Sequence, residues 1–443
     1  MVIVAREKSK KIFIGVDVGK EINYISIVFL GESTPRYQFE IKNTYHGFNE
    51  MKSYIDEAIA SEGLTYNECI LGLESTGNYG VNIAKYIEKL GIDVVQVPSV
   101  TVKRMKDVYK DVKNKHDKGD ARIISYCLRD NHYVVIKKSD TLLKDLKKLT
   151  RSLNTYRVSL AQVTNRMHSW LEVGNQVFKV IEWDFPSITG INLLKAYPCV
   201  HEVKDLSVSE VYGKLREYTR LPNRRKISLY LQEAEVAREY CEPLTELKKD
   251  EIKNLIEEYE FLEKVIKNLE IRIKKIALEI EPNIEKYLDG KIDGMSDSTF
   301  ISLLAETNFM KDFKSARSLL NFCGLTVIAE SSGGMKKKPG ISKRGSRYAR
   351  KHAYVLTDVF IKHNKDIRRL YCYYKTYERE NSVSKKAMFL ATISKVIRGF
   401  YGAIKSNSEF TTKELLKDID FDKCNKKKFR EEMKPLSKRK YNK

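Results

Sequence analysis

The chain has 443 residues, 42% of them hydrophobic and 32% charged, and its 81 Lys and Arg exceed its 59 Asp and Glu by a formal charge of +22. That length is too great for one ordinary core and predicts two or three domains, while the hydrophobic share excludes a wholly disordered chain. So large a cationic surplus calls for a polyanion or a solvated charged surface; nucleic acid leads, because phosphate neutralisation by Lys and Arg supplies most non-specific affinity.

The seven cysteines, Cys69, Cys127, Cys199 and Cys323 among them, are scattered without CxxC or tight Cys/His spacing, which argues against a zinc site or a disulfide framework. No stretch approaches the roughly 20 apolar residues of a membrane span, and MVIVAREKSKK lacks the order of a signal peptide. The expected setting is reducing and cytoplasmic, without a membrane partner.

From Lys11 the chain reads KIFIGVDVGK, INYISIVFL and RYQFEI, three runs rich in Ile, Val, Phe and Tyr separated by turn residues, which predict an antiparallel meander. A helix follows over about 45–60, then CILGLE as a buried strand ending on Glu74, a helix over about 81–90, the strand IDVVQVP, and a helix beginning near Asp117. Asp17 interrupts an apolar strand, where a carboxylate is costly unless a cation answers it. Glu74 stands at the C-terminal end of its strand, the edge where α/β sheets expose functional groups. Asp117 and Asp120, in KNKHDKGDARIIS, share one helix face; helix N-capping explains either alone. Four acids gathered by one sheet and one helix repel one another, and hard oxygen ligands suit Mg²⁺ or Mn²⁺. Two such ions are the usual device for in-line displacement at a phosphodiester, with Lys113 and Lys115 set to hold the nucleic acid.

The strand order and the Asp, Glu, Asp, Asp set resemble a RuvC-type domain of the ribonuclease H superfold. More closely, GVDVGK, ESTGNY and KHDKGDA are similar to the N-terminal motifs of the DEDD transposases from the 110 family of bacterial insertion sequences, which includes the Piv invertase. The family motifs read GIDVAK, ExTGxY and KTDxxDA, so Gly19 and His116 depart from the pattern without touching a carboxylate. Residues 1–140 are expected to form this RuvC-like domain.

Residues 141–290 are expected to form a long helical middle. Leu146, Leu149, Leu153, Tyr156, Leu160, Val163, Met167 and Trp170 alternate at spacings of three and four, as do Ile252, Leu255, Tyr259, Leu262, Ile266, Leu269, Ile273, Ile276 and Ile280. Each run predicts a coiled-coil seam, pairing within the chain or with a second protomer. Between them, about 172–240 read as short helices broken at Pro186, Pro198 and Pro222, with Arg224, Arg225 and Lys226 as phosphate contacts or a solvated loop.

Residues 291–405 are expected to form a mainly α C-terminal domain. KIDGMSDSTFISLLAET resembles the family's opening helix-hairpin-helix, with Asp293 and Ser296 replacing the usual proline and glycine. Then FCGLTVIAESSGGMKKKPGISKRGSRYARKHAY carries Lys336, Lys337, Lys338, Lys343, Arg344, Arg347, Arg350 and Lys351 without an acid between Ser331 and Lys351. A Gly-rich basic loop entering a basic helix suits a phosphate held near a small nucleophile. Alone, Ser332 reads as a turn residue. The family signature, SG followed by a basic glycine stretch and ISKRGxxxxR, implies that Ser332 is the catalytic serine, with Ser331 the fallback and Ser342 a weaker candidate. The tail, 406–443, is Lys-rich.

The resemblance, over about residues 10–405, implies a DNA transposase in which the serine hydroxyl attacks the phosphodiester while Asp17, Glu74, Asp117 and Asp120 hold Mg²⁺. It also implies donor and target DNA, a structured noncoding bridge RNA as guide, a homodimer or homotetramer, and a place on the bacterial nucleoid. The competing readings are a metal-dependent junction-resolving nuclease and a non-catalytic nucleic-acid scaffold.

Overall fold

The computed structural model describes residues 10–74, 79–109, 117–135, 141–181, 185–219, 221–328, 331–332, 335–336, 340–342, 344–377 and 385–433; for 107, 117, 118, 327, 328, 331, 332, 335, 336 and 340 it describes the backbone alone. The chain divides into two compact units, Met1–Lys138 and Ser139–Lys443.

The first unit is a six-stranded sheet in the order β3-β2-β1-β4-β5-β6. β1 (Ile12–Val18), β2 (Ile22–Phe29) and β3 (Tyr37–Lys42) make the expected meander, and β1, β4 (Cys69–Glu74) and β5 (Asp93–Val97) run parallel. The two-residue β6 (Val134–Val135) closes the edge antiparallel to β5. Among the described residues, α1 (Tyr45–Ser61), α2 (Val81–Lys89), α3 (Ser99–Val108) and α4 (Asp117–Arg129) cover it. Side-chain alternation sorts the core into two layers. Ile12, Ile14, Val16, Ile25, Ile27, Leu71 and Leu73 meet Phe48, Met51, Ile55, Ile83 and Ile87 on one face. Phe13, Ile70, Val95 and Val97 meet Val102, Ile123, Ile124, Cys127 and Leu128 on the other. Each fully buried aliphatic side chain contributes about 1.5–3 kcal/mol. Sequence patterning passed over α3 and β6: SVTVKRMKDV reads as polar, and β6 is too short to show a period.

On the second face α4 lies unusually close to the strands. A Cβ on Gly15 would come within 2.1 Å of the Ala121 carbonyl oxygen, and one on Gly72 within 2.8 Å of the Leu128 side chain. Ser26 and Ser125 hydroxyls meet at 3.1 Å beside this approach.

The second unit is built on two long helices, α5 (Thr141–Gly174) and α10 (Glu246–Ile280), which pack together within the chain along the two heptad seams. Leu146, Leu153, Val163 and Met167 are buried on one, and Ile252, Leu255, Tyr259, Leu262 and Ile273 on the other. Arg157 pairs with Glu270 and Arg166 with Glu251 and Glu258 across the seam. Between them come α6 (Val177–Val180), α7 (Ile188–Ala196), α8 (Val208–Leu215) and α9 (Arg224–Ala237), which form one core with the adjoining ends of α5 and α10.

The opposite ends of α5 and α10 join a second core with α11 (Asp297–Glu306), α12 (Ala316–Phe322), α13 (Arg347–His363), α14 (Lys365–Thr376) and α15 (Lys385–Lys405). Two short antiparallel ladders lie between α12 and α13: β7 (Val327–Ile328) with β10 (Gly340–Ile341), and β8 (Ser331–Ser332) with β9 (Met335–Lys336). α16 (Lys426–Met433) ends the described chain. One expectation needs correction: α15 is long and apolar enough to cross a membrane by length and composition. Its Thr392, Ile393, Val396, Ile397 and Phe400 are buried among the other helices, the packing of a core helix. All seven cysteines are buried and none forms a disulfide.

Candidate active site

Asp17 is the penultimate residue of β1 and Glu74 the last of β4. The parallel register runs from Ile12↔Cys69 to Val16↔Leu73, so Asp17 and Glu74 are the next pair along. Residues in register on adjacent parallel strands share a face, with the strands about 4.8 Å apart. That face also carries Gly15 and Gly72, the two glycines beneath α4. Both carboxylates are half-buried, and each interacts with another group of the protein.

α4 runs against the direction of β1. Its Ala121 and Ser125 backbone sits over Gly15, while at its far end the Tyr126 hydroxyl donates to the Ser33 carbonyl at 2.7 Å and Arg129 Nη1 to the Glu32 carbonyl at 2.9 Å. Those carbonyls follow β2, whose end pairs with the start of β1. The N-terminus of α4 therefore faces the sheet edge at which Asp17 and Glu74 lie. Asp117 is its first residue, with its side chain outside the described residues, and Asp120 follows one turn on. The Asp120 carboxylate meets the Lys106 ammonium of α3 at 2.5 Å, so one cation already faces this acid. Among the described residues no group of three or more His, Cys, Asp or Glu stands close enough to hold a metal ion. The donor chemistry nevertheless fits a hard divalent cation: two carboxylates on one face of adjacent strands, beneath a helix N-terminus bearing two more.

The cationic half of the expected site lies in the second unit. β8 and β9 pair Ser331 with Lys336 and Ser332 with Met335 through the backbone. Lys113, Lys115, Lys337, Lys338 and Lys343 lie outside the described residues. The ISKRG segment is latched at both ends. The Ser342 amide donates to the Thr326 carbonyl at 2.9 Å and the Ser346 amide to the Phe322 carbonyl at 2.8 Å. Gly345 has φ +125° and passes so near Phe322 that a Cβ would come within 2.1 Å of its carbonyl oxygen. Ser346 then caps α13 through the Ala349 amide at 3.1 Å. Arg344 and Arg347 are exposed, and Arg350 donates to the Cys323 carbonyl at 3.2 Å.

Beneath this surface lies an electrostatic support that sequence reading did not identify. Arg151 of α5 grips Glu306 of α11 through two hydrogen bonds, Nε to Oε1 at 2.7 Å and Nη2 to Oε2 at 3.0 Å, and lies 4.3 Å over the Tyr348 ring. Arg347 stacks on the same ring at 4.8 Å and donates to its hydroxyl at 2.9 Å. Burial pushes His352 down to about 4, its Nε2 being buried without a hydrogen-bond partner among the described residues. Nothing in the spacing of Arg151 and Glu306, 155 residues apart, links them in the sequence. The same holds for Lys106 and Asp120, brought together by two helices of which one was not expected. The hairpin at Asp293 is occupied from within: Asn364 Nδ2 donates to the Asp293 carbonyl at 2.9 Å, and a Cβ on Gly294 would meet His363 and Asn364.

Residues 14–175 match the family model of the IS110 DEDD transposase, and residues 290–372 match that of the transposase IS116/IS110/IS902 family. No curated protein matches the chain. The first match contains all four acids and the second contains the two serines and the basic run into α13; with more than half of the chain matched, it belongs to the IS110 family of DEDD transposases and is a DNA transposase.

Proposed function

We propose that the protein cuts and rejoins DNA through a serine nucleophile and four metal-binding acids. The observation that carries this reading is the meeting of Asp17 and Glu74 in register at one sheet edge, beneath the N-terminus of the helix bearing Asp117 and Asp120. Asp17, Glu74, Asp117 and Asp120 would hold Mg²⁺, or Mn²⁺, which when bound polarises the scissile phosphate and stabilises the leaving oxygen. The N-terminal domain, about residues 1–140, is on this reading RuvC-like.

Ser332, with Ser331 as the alternative, supplies the attacking hydroxyl. Its Oγ forms a bond to phosphorus as the bond from phosphorus to the leaving sugar oxygen breaks; the hydroxyl proton passes to solvent and the departing alkoxide takes one up. The phosphoserine link keeps the phosphodiester available, and a sugar hydroxyl of a second strand releases the serine by the reverse displacement. Lys113, Lys115, Lys336, Lys337, Lys338, Lys343, Arg344, Arg347 and Arg350 hold the strand by its phosphates. Serine and acids belong to different units, which favours a composite site from two protomers of a dimer or tetramer. Equipment for backbone contact rather than base readout fits guidance by a bridge RNA that pairs with donor and target DNA.

A denaturing gel of labelled DNA mixed with the protein and Mg²⁺ tests the reading. A protein–DNA adduct absent from Ser332→Ala and from Asp17→Asn is the expected result. Cleavage by Ser332→Ala at the wild-type rate, with no adduct in either protein, would instead mean hydrolysis by water.

A further inference from the structure

The cavity beside Asp17 contains a side chain for which the transposase reading has no use. β1 and β2 pair about the turn at Gly19–Glu21, and their register sets Tyr24 opposite Asp17. Opposed residues of an antiparallel pair leave the same face with Cβ atoms about 5 Å apart. Tyr24 thus stands in one row with Asp17 and Glu74, on three adjacent strands and the face that α4 covers. With Asp17 and the turn it lines a cavity of about 370 Å³.

The turn that walls this cavity is fixed. The Gly19 amide donates to Asn23 Oδ1 at 3.2 Å. Asn43 Nδ2 donates to the carbonyls of Gly19 at 3.0 Å and Tyr79 at 3.3 Å, and the Asn43 amide donates to the Glu21 carbonyl at 2.7 Å. Most tyrosines in this unit are committed. Tyr37 and Tyr54 pack ring to ring, and the hydroxyls of Tyr66, Tyr86, Tyr109 and Tyr126 donate to Asp56, Asn49, Asp130 and the Ser33 carbonyl. Tyr24 is half-buried, yet among the described residues its side chain makes no hydrogen bond or ring contact.

We infer that Tyr24 is a nucleobase platform within the acid site: an unpaired base next to the phosphate held at Asp17 and Glu74 stacks on its ring. The inference rests on the reading of those acids as the active site. The cavity is small for a ligand pocket, the size for one base rather than a duplex. Base–aromatic stacking is sequence-tolerant, because every base offers a π-face. A base that enters has left its own stack, which brings the adjoining phosphate within reach of carboxylates at a sheet edge.

The test uses the full chain with Mg²⁺ and a short single-stranded oligonucleotide carrying 5-iododeoxyuridine, photocrosslinked and mapped by mass spectrometry. The expected crosslink falls on Tyr24, persists in Tyr24→Phe and disappears in Tyr24→Ala. Strand cleavage by Tyr24→Ala should show KM raised roughly tenfold to hundredfold, kcat changed less, and the salt dependence of binding unaltered. Melting temperatures equal to wild type exclude a folding defect, and the Phe variant controls for one. Crosslinks confined to other residues, or a KM in Tyr24→Ala equal to wild type, overturn the platform. If Asp17→Asn cleaves normally, the active-site reading fails; if Asp17→Asn is inactive and Tyr24→Ala is indistinguishable from wild type, only the platform fails. A crosslink competed away by free mononucleotide assigns the subsite to a soluble nucleotide rather than a strand and likewise overturns it.

Discussion

The acids of the first unit and the serines of the second are held in opposite ways. Asp17 and Glu74 sit on adjacent parallel strands whose register runs unbroken for five pairs up to them, sealed by a helix that two glycines admit to contact distance. Ser331 and Ser332 sit on a two-residue strand paired with another of two residues, and what fixes their neighbourhood is the latch of Thr326, Phe322 and Gly345 onto the start of α13. A sheet edge holds charged groups at a spacing set by backbone hydrogen bonds; a short hairpin constrains its side chains less. On the proposed mechanism, acids held on a sheet edge and a nucleophile carried on a short hairpin would divide the labour, since repelling carboxylates need enforcement and a hydroxyl needs access.

Substitutions in both units would break or sharpen that contrast. The largest effect is expected from Asp17→Asn, which keeps size and polarity while removing one charge from the row: strand transfer should fall on the order of a thousandfold, with unchanged melting temperature. Unaltered transfer in this variant would leave the acids with no more than a capping role. In the second unit, Arg151→Leu leaves Glu306, whose side chain is 4% exposed, without its bidentate partner. About 4 kcal/mol of stability should be lost, measured by denaturant unfolding, and Arg151→Leu combined with Glu306→Leu should recover much of it.

His352 gives the second unit a pH signature. Its ordinary value of 6.5 is pushed down to about 4, chiefly by burial; Glu306 opposes the shift, and Lys351, Arg157 and Arg151 assist it. The unfolded chain binds a proton below pH 6.5 that the folded chain refuses, so the histidine contributes no penalty at neutral pH. It costs up to about 3 kcal/mol as pH falls from 6.5 towards 4. Melting curves of His352→Met across that window should be flatter than those of wild type. The smallest effects separate the two glycines under α4. Gly15→Ala drives a Cβ into backbone and should cost about 2 kcal/mol and lower activity, because α4 carries two acids. Gly72→Ala meets only the Leu128 side chain, which can turn aside, and should cost under about 1 kcal/mol.

Period-two runs, turn residues and sustained heptads made the meander, the parallel strands and both long helices legible, since each is dictated by local burial pattern. They also placed the acids at their elements' ends. The pattern on α15 was read less well: an apolar helix of 21 residues can serve a core or a bilayer, and only its neighbours decide. α3 was missed because its one fully buried apolar residue, Val102, is too little to give a period.

By itself the sequence determined which residue types were available and on which element each would stand: Asp17 in a strand, Glu74 at a strand end, Asp117 and Asp120 at a helix start, the serines before a basic helix. Only tertiary structure decided their companions. That Asp17 faces Glu74 and Tyr24 follows from strand order and register, that Asp120 meets Lys106 from the packing of α3 on α4, and that Arg151 meets Glu306 from the descent of α5 past α11. Hydrogen-bond register and helix approach are properties of pairs of segments, and no pattern within one segment encodes them.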